Sequence, residues 1–311
     1  MVTNHLPHET DCRYITDAGL ETDMIFRRGI ELPEFAAFPL LDSEAGRAAL
    51  EAYYGDYSRI AQASGSCLLL ESPTWRASPD WGARLGYSIA DLDRVNRLAI
   101  SLLHNFREHT EVAGTLVSGT VGPRYDGYSS NEDSREESAR YHQPQFASFS
   151  IAGADLATAY TITHVGEAAG IVDAARAVDL PIAISFTVET DGRLPSGMTL
   201  AEAISELDRI AAPNYFLINC AHPTHIEKAL NIAGPWRDRI LGTRANASIR
   251  SHEELNDATD LDDGDPVEFA DAQRRVTSLL PNLTIFGGCC GTDARHVAAL
   301  VDLPDSAWVR H

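Results

Sequence analysis

The chain has 311 residues, 44% hydrophobic and 23% charged, the proportions of a globular protein with ample material for a large core. Its formal net charge of −20 excludes the basic surface that nucleic acid demands and suits cationic or zwitterionic ligands. No window approaches the ~18 consecutive apolar residues of a transmembrane helix. The polar start from Met1 to Cys12 lacks the pattern of a secretory signal, so a cytoplasmic protein without membrane contact is expected.

The first strand is expected at Tyr14-Ile15-Thr16, ending at Asp17-Ala18-Gly19, with residues 1–12 as a flexible arm. Ala45 to Ser64 has helical spacing in Leu50, Tyr53, Tyr54, Tyr57 and Ile60. Ser66 to Ser72 reads as a second, buried strand, Ile89 to His109 as an amphipathic helix with an acidic first turn, and Thr115 to Thr120 as a third strand. The polar stretch from Arg124 to about Gln145 reads either as a lid over a site or as a solvated loop entering a helix. Strands follow at Asp155–Thr161, Ile182–Val188, Tyr215–Asn219, Arg239–Arg244 and Leu283–Phe286. Helices are expected between them at Glu167–Val178, Thr199–Ala211, His225–Ala233 and Val267–Leu279, with a last one near His296–Val301. Strict alternation implies a parallel sheet, and eight units imply a closed (β/α)8 TIM barrel, one domain over 1–311. An open doubly wound sheet is the alternative, but no strand runs into a Gly-x-Gly-x-x-Gly turn.

Five cysteines are present, an odd number, in a chain that is neither short nor secreted in appearance, so no disulfide framework is expected. Cys67 lies inside an apolar run and reads as a buried small hydrophobe; Cys12 sits in the polar arm and reads as incidental. Cys220 and the pair Cys289-Cys290 differ, because each follows a strand and would stand on the face where barrels build their sites. Adjacent strand residues point to opposite sides, so both sulfurs of the pair reach one ion only if the backbone leaves strand geometry. Gly287, Gly288 and Gly291 are expected to permit that departure. Three thiolates with an open fourth position would make a catalytic zinc site, and a substrate thiol entering it would be held as the nucleophilic thiolate.

Asn219-Cys220, Gly287-Gly288-Cys289-Cys290-Gly291-Thr292 and Thr16-Asp17-Ala18-Gly19-Leu20-Glu21-Thr22 together resemble the homocysteine S-methyltransferase family. That family includes betaine–homocysteine methyltransferases and the N-terminal module of cobalamin-dependent methionine synthase. The resemblance runs from about Tyr14 to Val301, with supporting matches at Gly119–Arg124, Ser185–Val188, Ser196-Gly197 and Asn246. It implies a TIM barrel, Zn2+ held by Cys220, Cys289 and Cys290, and Asp17 beside the homocysteine amino group; Thr22, Glu71, Tyr160 and Asn246 are further candidates around the substrate. Methyl transfer to homocysteine, giving methionine, is the implied reaction. S-methylmethionine is the donor that suits a chain without folate or cobalamin modules. The sequence departs from the family at Tyr160, where a glutamate is usual. Glu71 or Glu189 would then supply the missing charge, and Tyr160 would approach the zinc as an oxygen ligand when substrate is absent. Trp75, Phe26 and Tyr125 are candidates to face a cationic donor. The competing readings are a barrel that binds zinc or thiols without turnover, a transferase for a different thiol, and a zinc hydrolase. The partners expected are a small thiol and a methyl donor, and a homo-oligomer is compatible with the sequence.

Overall fold

The computed structural model describes residues 5–128, 133–256 and 260–309. Eight parallel strands close a barrel in sequence order: β1 (Tyr14–Ile15), β2 (Cys67–Glu71), β3 (Leu116–Val121), β4 (Leu156–Ile162), β5 (Ile182–Thr187), β6 (Tyr215–Asn219), β7 (Ile240–Ala245) and β8 (Ile285–Gly288). The ring shuts where Tyr14 pairs with Ile285 and Ile15 with Phe286. Nearly every strand residue is buried, because the strands are covered by side chains on one face and helices on the other. The expected helices form with shifted ends. Ser43, Ser88, Ser134 and Thr199 cap four of them through side-chain oxygens. No helix among the described residues is long and apolar enough to cross a membrane.

Alternation along the strands decides what faces the barrel interior. Leu68 and Leu70 pack outward with the helices, while Leu69 joins Tyr14, Leu116, Leu156, Tyr215 and Ile285 in a separate inner layer. Further along the strands the inner positions turn polar: Thr16, Glu71, Thr158 then Tyr160, and Asn219. The apolar layer therefore plugs the lower barrel and the polar layer opens at the strands' C-terminal ends. β7 breaks the rule. Its register against β6 jumps from Phe216↔Ile240 to Leu217↔Gly242, one residue extra on β7. A Cβ on Gly242 would meet the inner side chains Leu217 and Ile285, so even-numbered positions now face inward, Arg244 among them.

Two expectations need correction. The N-terminal arm is not loose from residue 5 onward. Leu6 and Cys12 pack against the inner layer, the His8 ring lies 5.8 Å from that of Tyr215, and the Tyr14 hydroxyl donates to the His5 carbonyl. Cys12 and Cys67 are also joined by a disulfide. Tyr14 pairs with Cys67, which sets the segment preceding β1 beside the start of β2 and brings the two Cα atoms to 6.2 Å. The bridge sits at the opposite end from Cys220, Cys289 and Cys290.

In the polar stretch from Arg124, residues 129–132 lie outside the described residues. Ser134 then caps the helix Arg135–Ala152, so the solvated-loop-into-helix reading holds for the latter part. Asp126, Gly127 and Tyr128 reach the site.

Candidate active site

β6 and β8 flank β7, and their ends carry the cysteines. Cys220 follows Asn219 with φ +54°, a left-handed conformation unusual for a residue with a side chain. Its amide donates to the Arg244 carbonyl, and its own carbonyl meets Nε2 of His252, whose Nδ1 lies 2.9 Å from Glu189. Fixed from both sides, Cys220 turns its sulfur toward Cys289 and Cys290, and the three Sγ atoms lie within 4.8 Å of one another. All three thiols are free.

The glycines near the pair act differently from expectation. Gly287 and Gly288 do not leave the strand; they remain in β8, paired with Arg244 and Ala245. They are small because the backbone is crowded: a Cβ on Gly287 would strike Thr16 and one on Gly288 would strike Thr292. Only Gly291 takes a positive φ, +80°, beyond the pair.

Three thiols this close cannot all ionise by themselves. S–H donation from Cys220 and Cys290 lowers the Cys289 pKa, with Arg244 contributing. That same Cys289 interaction raises Cys220 and is part of what raises Cys290. A divalent cation removes this frustration, and a three-sulfur set at mutual contact distance fits a thiophilic metal. Asn219 Nδ2 and the Thr161 hydroxyl donate to Cys289 Sγ and Cys220 Sγ at 3.8 and 3.6 Å, orienting the sulfurs from behind.

A cavity of about 420 Å3 opens over the sulfurs. Asp17, Glu71, Tyr160 and Arg244 form its deep end. Asp17 Oδ2 accepts from the Tyr53 hydroxyl, and Oδ1 lies 2.8 Å from Arg244 Nη2. That contact lacks hydrogen-bond alignment, so Oδ1 keeps no hydrogen-bond donor from the protein. Burial raises the Asp17 pKa to about 6 against the pull of Arg244. Burial works against the charge of Arg244, but Asp17, Tyr160 and Glu71 more than offset it. The guanidinium also donates to the carbonyls of Gly288 and Ala18.

Tyr160 does not turn toward the sulfurs. Its hydroxyl donates to Glu71 Oε1 at 2.8 Å, its ring lies beneath Arg244, and Thr120 donates to Glu71 Oε2 at 3.0 Å. Of the two stand-ins for the family's glutamate, Glu71 is in the cavity, whereas Glu189 is engaged by His252 and is absent from the lining. The Tyr128 hydroxyl, by contrast, hydrogen-bonds Cys220, and its ring stacks on His252 with centroids 3.8 Å apart.

Thr22 lines the cavity, but its hydroxyl donates to the Gly19 carbonyl and accepts from the Gly291 amide, so it braces the cysteine loop. Asn246 is buried behind the lining; its amide donates to the Ala221 carbonyl and its Oδ1 has no partner. Trp75 and Phe26 face the cavity, while Tyr125 bonds Asp133 outside it. Sequence reasoning missed Arg244, Glu21, Tyr128 and Arg76 as lining residues. Only Glu21, inside the Asp17–Thr22 motif, carried a local signal.

The family model for homocysteine S-methyltransferase matches residues 14–303. Among solved structures, the metallated form of the homocysteine methyltransferase MmuM from Escherichia coli is similar, with TM-score 0.73 and 19% identity over 94% of this chain and 96% of that one. The oxidized form of the same protein gives TM-score 0.74 and 20% identity over 95% and 99%. No curated protein sequence matches the chain.

Proposed function

The chain belongs to the homocysteine S-methyltransferase family, and from that premise we propose that it transfers a methyl group from a small sulfonium or quaternary ammonium donor, S-methylmethionine fitting best, to the thiolate of homocysteine in a zinc-dependent reaction. The observation that carries the reading is the convergence of Cys220, Cys289 and Cys290 at the floor of a cavity with paired charges at its deep end. Those three residues would hold Zn2+, which when bound lowers the pKa of a substrate thiol and keeps its sulfur nucleophilic at neutral pH.

The rest of the chemistry falls to the chain's own side chains. Glu71, held by Tyr160 and Thr120, and Asp17, paired with Arg244 through Oδ1, offer carboxylates for the substrate ammonium. Glu71 thereby replaces the carboxylate that the family usually places at the Tyr160 position. Arg244, whose Nε and Nη2 are held by the Gly288 and Ala18 carbonyls, leaves Nη1 for a substrate carboxylate. With the acceptor's head group fixed there and the sulfur at the cysteines, attack on the donor methyl is an intramolecular-like displacement. The new S–CH3 bond forms as the donor's bond to that methyl breaks, and the thiol proton leaves to solvent.

A second reading, transfer to a thiol that lacks an ammonium, draws on the same Asp17–Arg244 contact, because an internally neutralised aspartate attracts a cation less. Metal analysis of the reduced protein with a donor-by-acceptor methyl-transfer screen tests the main reading. Cys290→Ala is expected to lose bound zinc and methyl transfer together. Full zinc content with full activity in that variant would refute the assignment.

A further inference from the structure

The outer wall of the cavity holds a cation that neither the metal site nor the acceptor pocket uses. Arg76 follows Trp75 in the segment after β2. Its guanidinium lies on the Trp81 ring at 3.8 Å, with Trp75 at 5.0 Å and Phe35 at 5.9 Å. Nη1 donates to the Glu34 carbonyl. Nε is buried and has no acceptor. Arg76 forms no ion pair with any described residue, in a chain with 45 acidic against 25 basic side chains. Stacking explains the plane of the guanidinium. It does not explain a buried N–H left without a partner, which natural structures avoid.

The nitrogens left over matter. With Nη1 engaged, Nε and Nη2 remain, and they form the side-on fork that takes a carboxylate through two parallel hydrogen bonds. The position matters as well. Trp75 donates to the Tyr160 carbonyl, its ring and Thr161 flank Gly127, and Thr161 in turn donates to Cys220 Sγ. Arg76 thus adjoins the indole that meets Thr161 across Gly127, and Thr161 reaches the sulfurs. Trp75, Tyr128 and the carboxylate of Glu21 line the same cavity. A cation among them is favoured by the rings and the acid alike.

We propose that Arg76 binds the carboxylate of the methyl donor, so that the onium centre of a carboxylate-bearing donor points inward between Trp75 and the cysteines while its acid end stays at the outer wall. This assignment rests on the methyl-transfer reading and adds to it the residue that selects the donor. It predicts discrimination by charge at the end of the donor remote from the methyl group.

The test is calorimetric binding of S-methylmethionine, glycine betaine and their methyl esters to the zinc-loaded protein without acceptor, for the wild type, Arg76→Gln and Arg76→Lys. At least one acid is expected to bind about tenfold or more tighter than its ester in the wild type, as charge-assisted bonds do. Arg76→Gln abolishes that preference, Arg76→Lys restores part of it, and homocysteine binding stays within about twofold. In turnover the change falls on the KM for the donor, with kcat little altered. Equal binding of acid and ester, binding of neither acid, or a loss of homocysteine affinity equal to the loss for donor each overturns the proposal. Melting curves confirm that the variants are folded, and the lysine variant keeps the test decisive if the glutamine one is not. Absence of methyl transfer with every donor would refute the function, whereas the acid-over-ester preference and its loss in Arg76→Gln would still stand or fall by calorimetry.

Discussion

Replacing Glu71 by glutamine separates recognition of the acceptor's ammonium from everything else the site does. The amide keeps the shape of the carboxylate. Its oxygen can still accept from Tyr160, and Thr120, whose hydroxyl now donates to Glu71, can turn to accept from the new NH2. The fold therefore loses little. What disappears is a buried negative charge, and Asp17 cannot replace it because Arg244 stands 2.8 Å away. A hydrogen bond to a charged group contributes about 1.5–3 kcal/mol, roughly 10- to 150-fold in affinity. The assay compares KM for homocysteine with KM for 4-mercaptobutyrate, the same thiol acid without the amine, using one donor. Glu71→Gln is expected to raise KM for homocysteine by about 10- to 100-fold, with kcat little changed, because the ammonium contact exists in ground and transition states alike. The amine-free thiol is expected to shift less than about twofold. Equal shifts for both thiols, or none for homocysteine, would refute the placement of the ammonium beside Glu71. A wild-type preference for the amine-free thiol would instead favour the second reading.

Gly287→Ala would drive a methyl into Thr16 and to 2.7 Å from the Asp17 carbonyl. Overpacking of this kind costs about 1–3 kcal/mol, seen as a fall of several degrees in melting temperature, and an unchanged melting curve would contradict the crowding argument. Cys12→Ser opens a disulfide spanning 55 residues. The chain-entropy relation assigns that loop about 4 kcal/mol, so thermal stability should fall while kcat/KM holds, since the bridge is at the far end of the barrel. Loss of activity in the folded variant would speak against that separation. Burial raises the Glu21 pKa to about 7. The carboxyl is mostly neutral below that pH and charged above it, so a cationic donor should bind the metal-free protein more tightly as pH rises through 7. Glu21→Gln should flatten this profile in calorimetric titrations; a slope that survives the substitution would assign it to another group.

The barrel was legible because local patterns and the global fold agree. Apolar runs bounded by turns, separated by helices with Ser and Thr caps, specify eight parallel units whatever their later contacts. Strand-end position alone brought Cys220, Cys289 and Cys290 together, since every β-strand of a barrel delivers its C-terminal residue to one rim. Strand parity likewise carried Glu71 and Tyr160 inside. Four things depended on tertiary structure. The one-residue bulge in β7 turns Arg244 inward, and no alternation pattern records a register jump between strands. The link between Cys12 and Cys67 follows from parallel pairing of β1 with β2, which sequence distance hides. The need for glycine at 287 and 288 comes from Thr16 and Thr292 pressing on the strand, not from the backbone conformation that glycine more often signals. Finally, Tyr160 was recognisable as a departure, but its bond to Glu71 was not. Residue identity states which groups can ionise, whereas their charges and partners follow from the distances and burial that packing imposes.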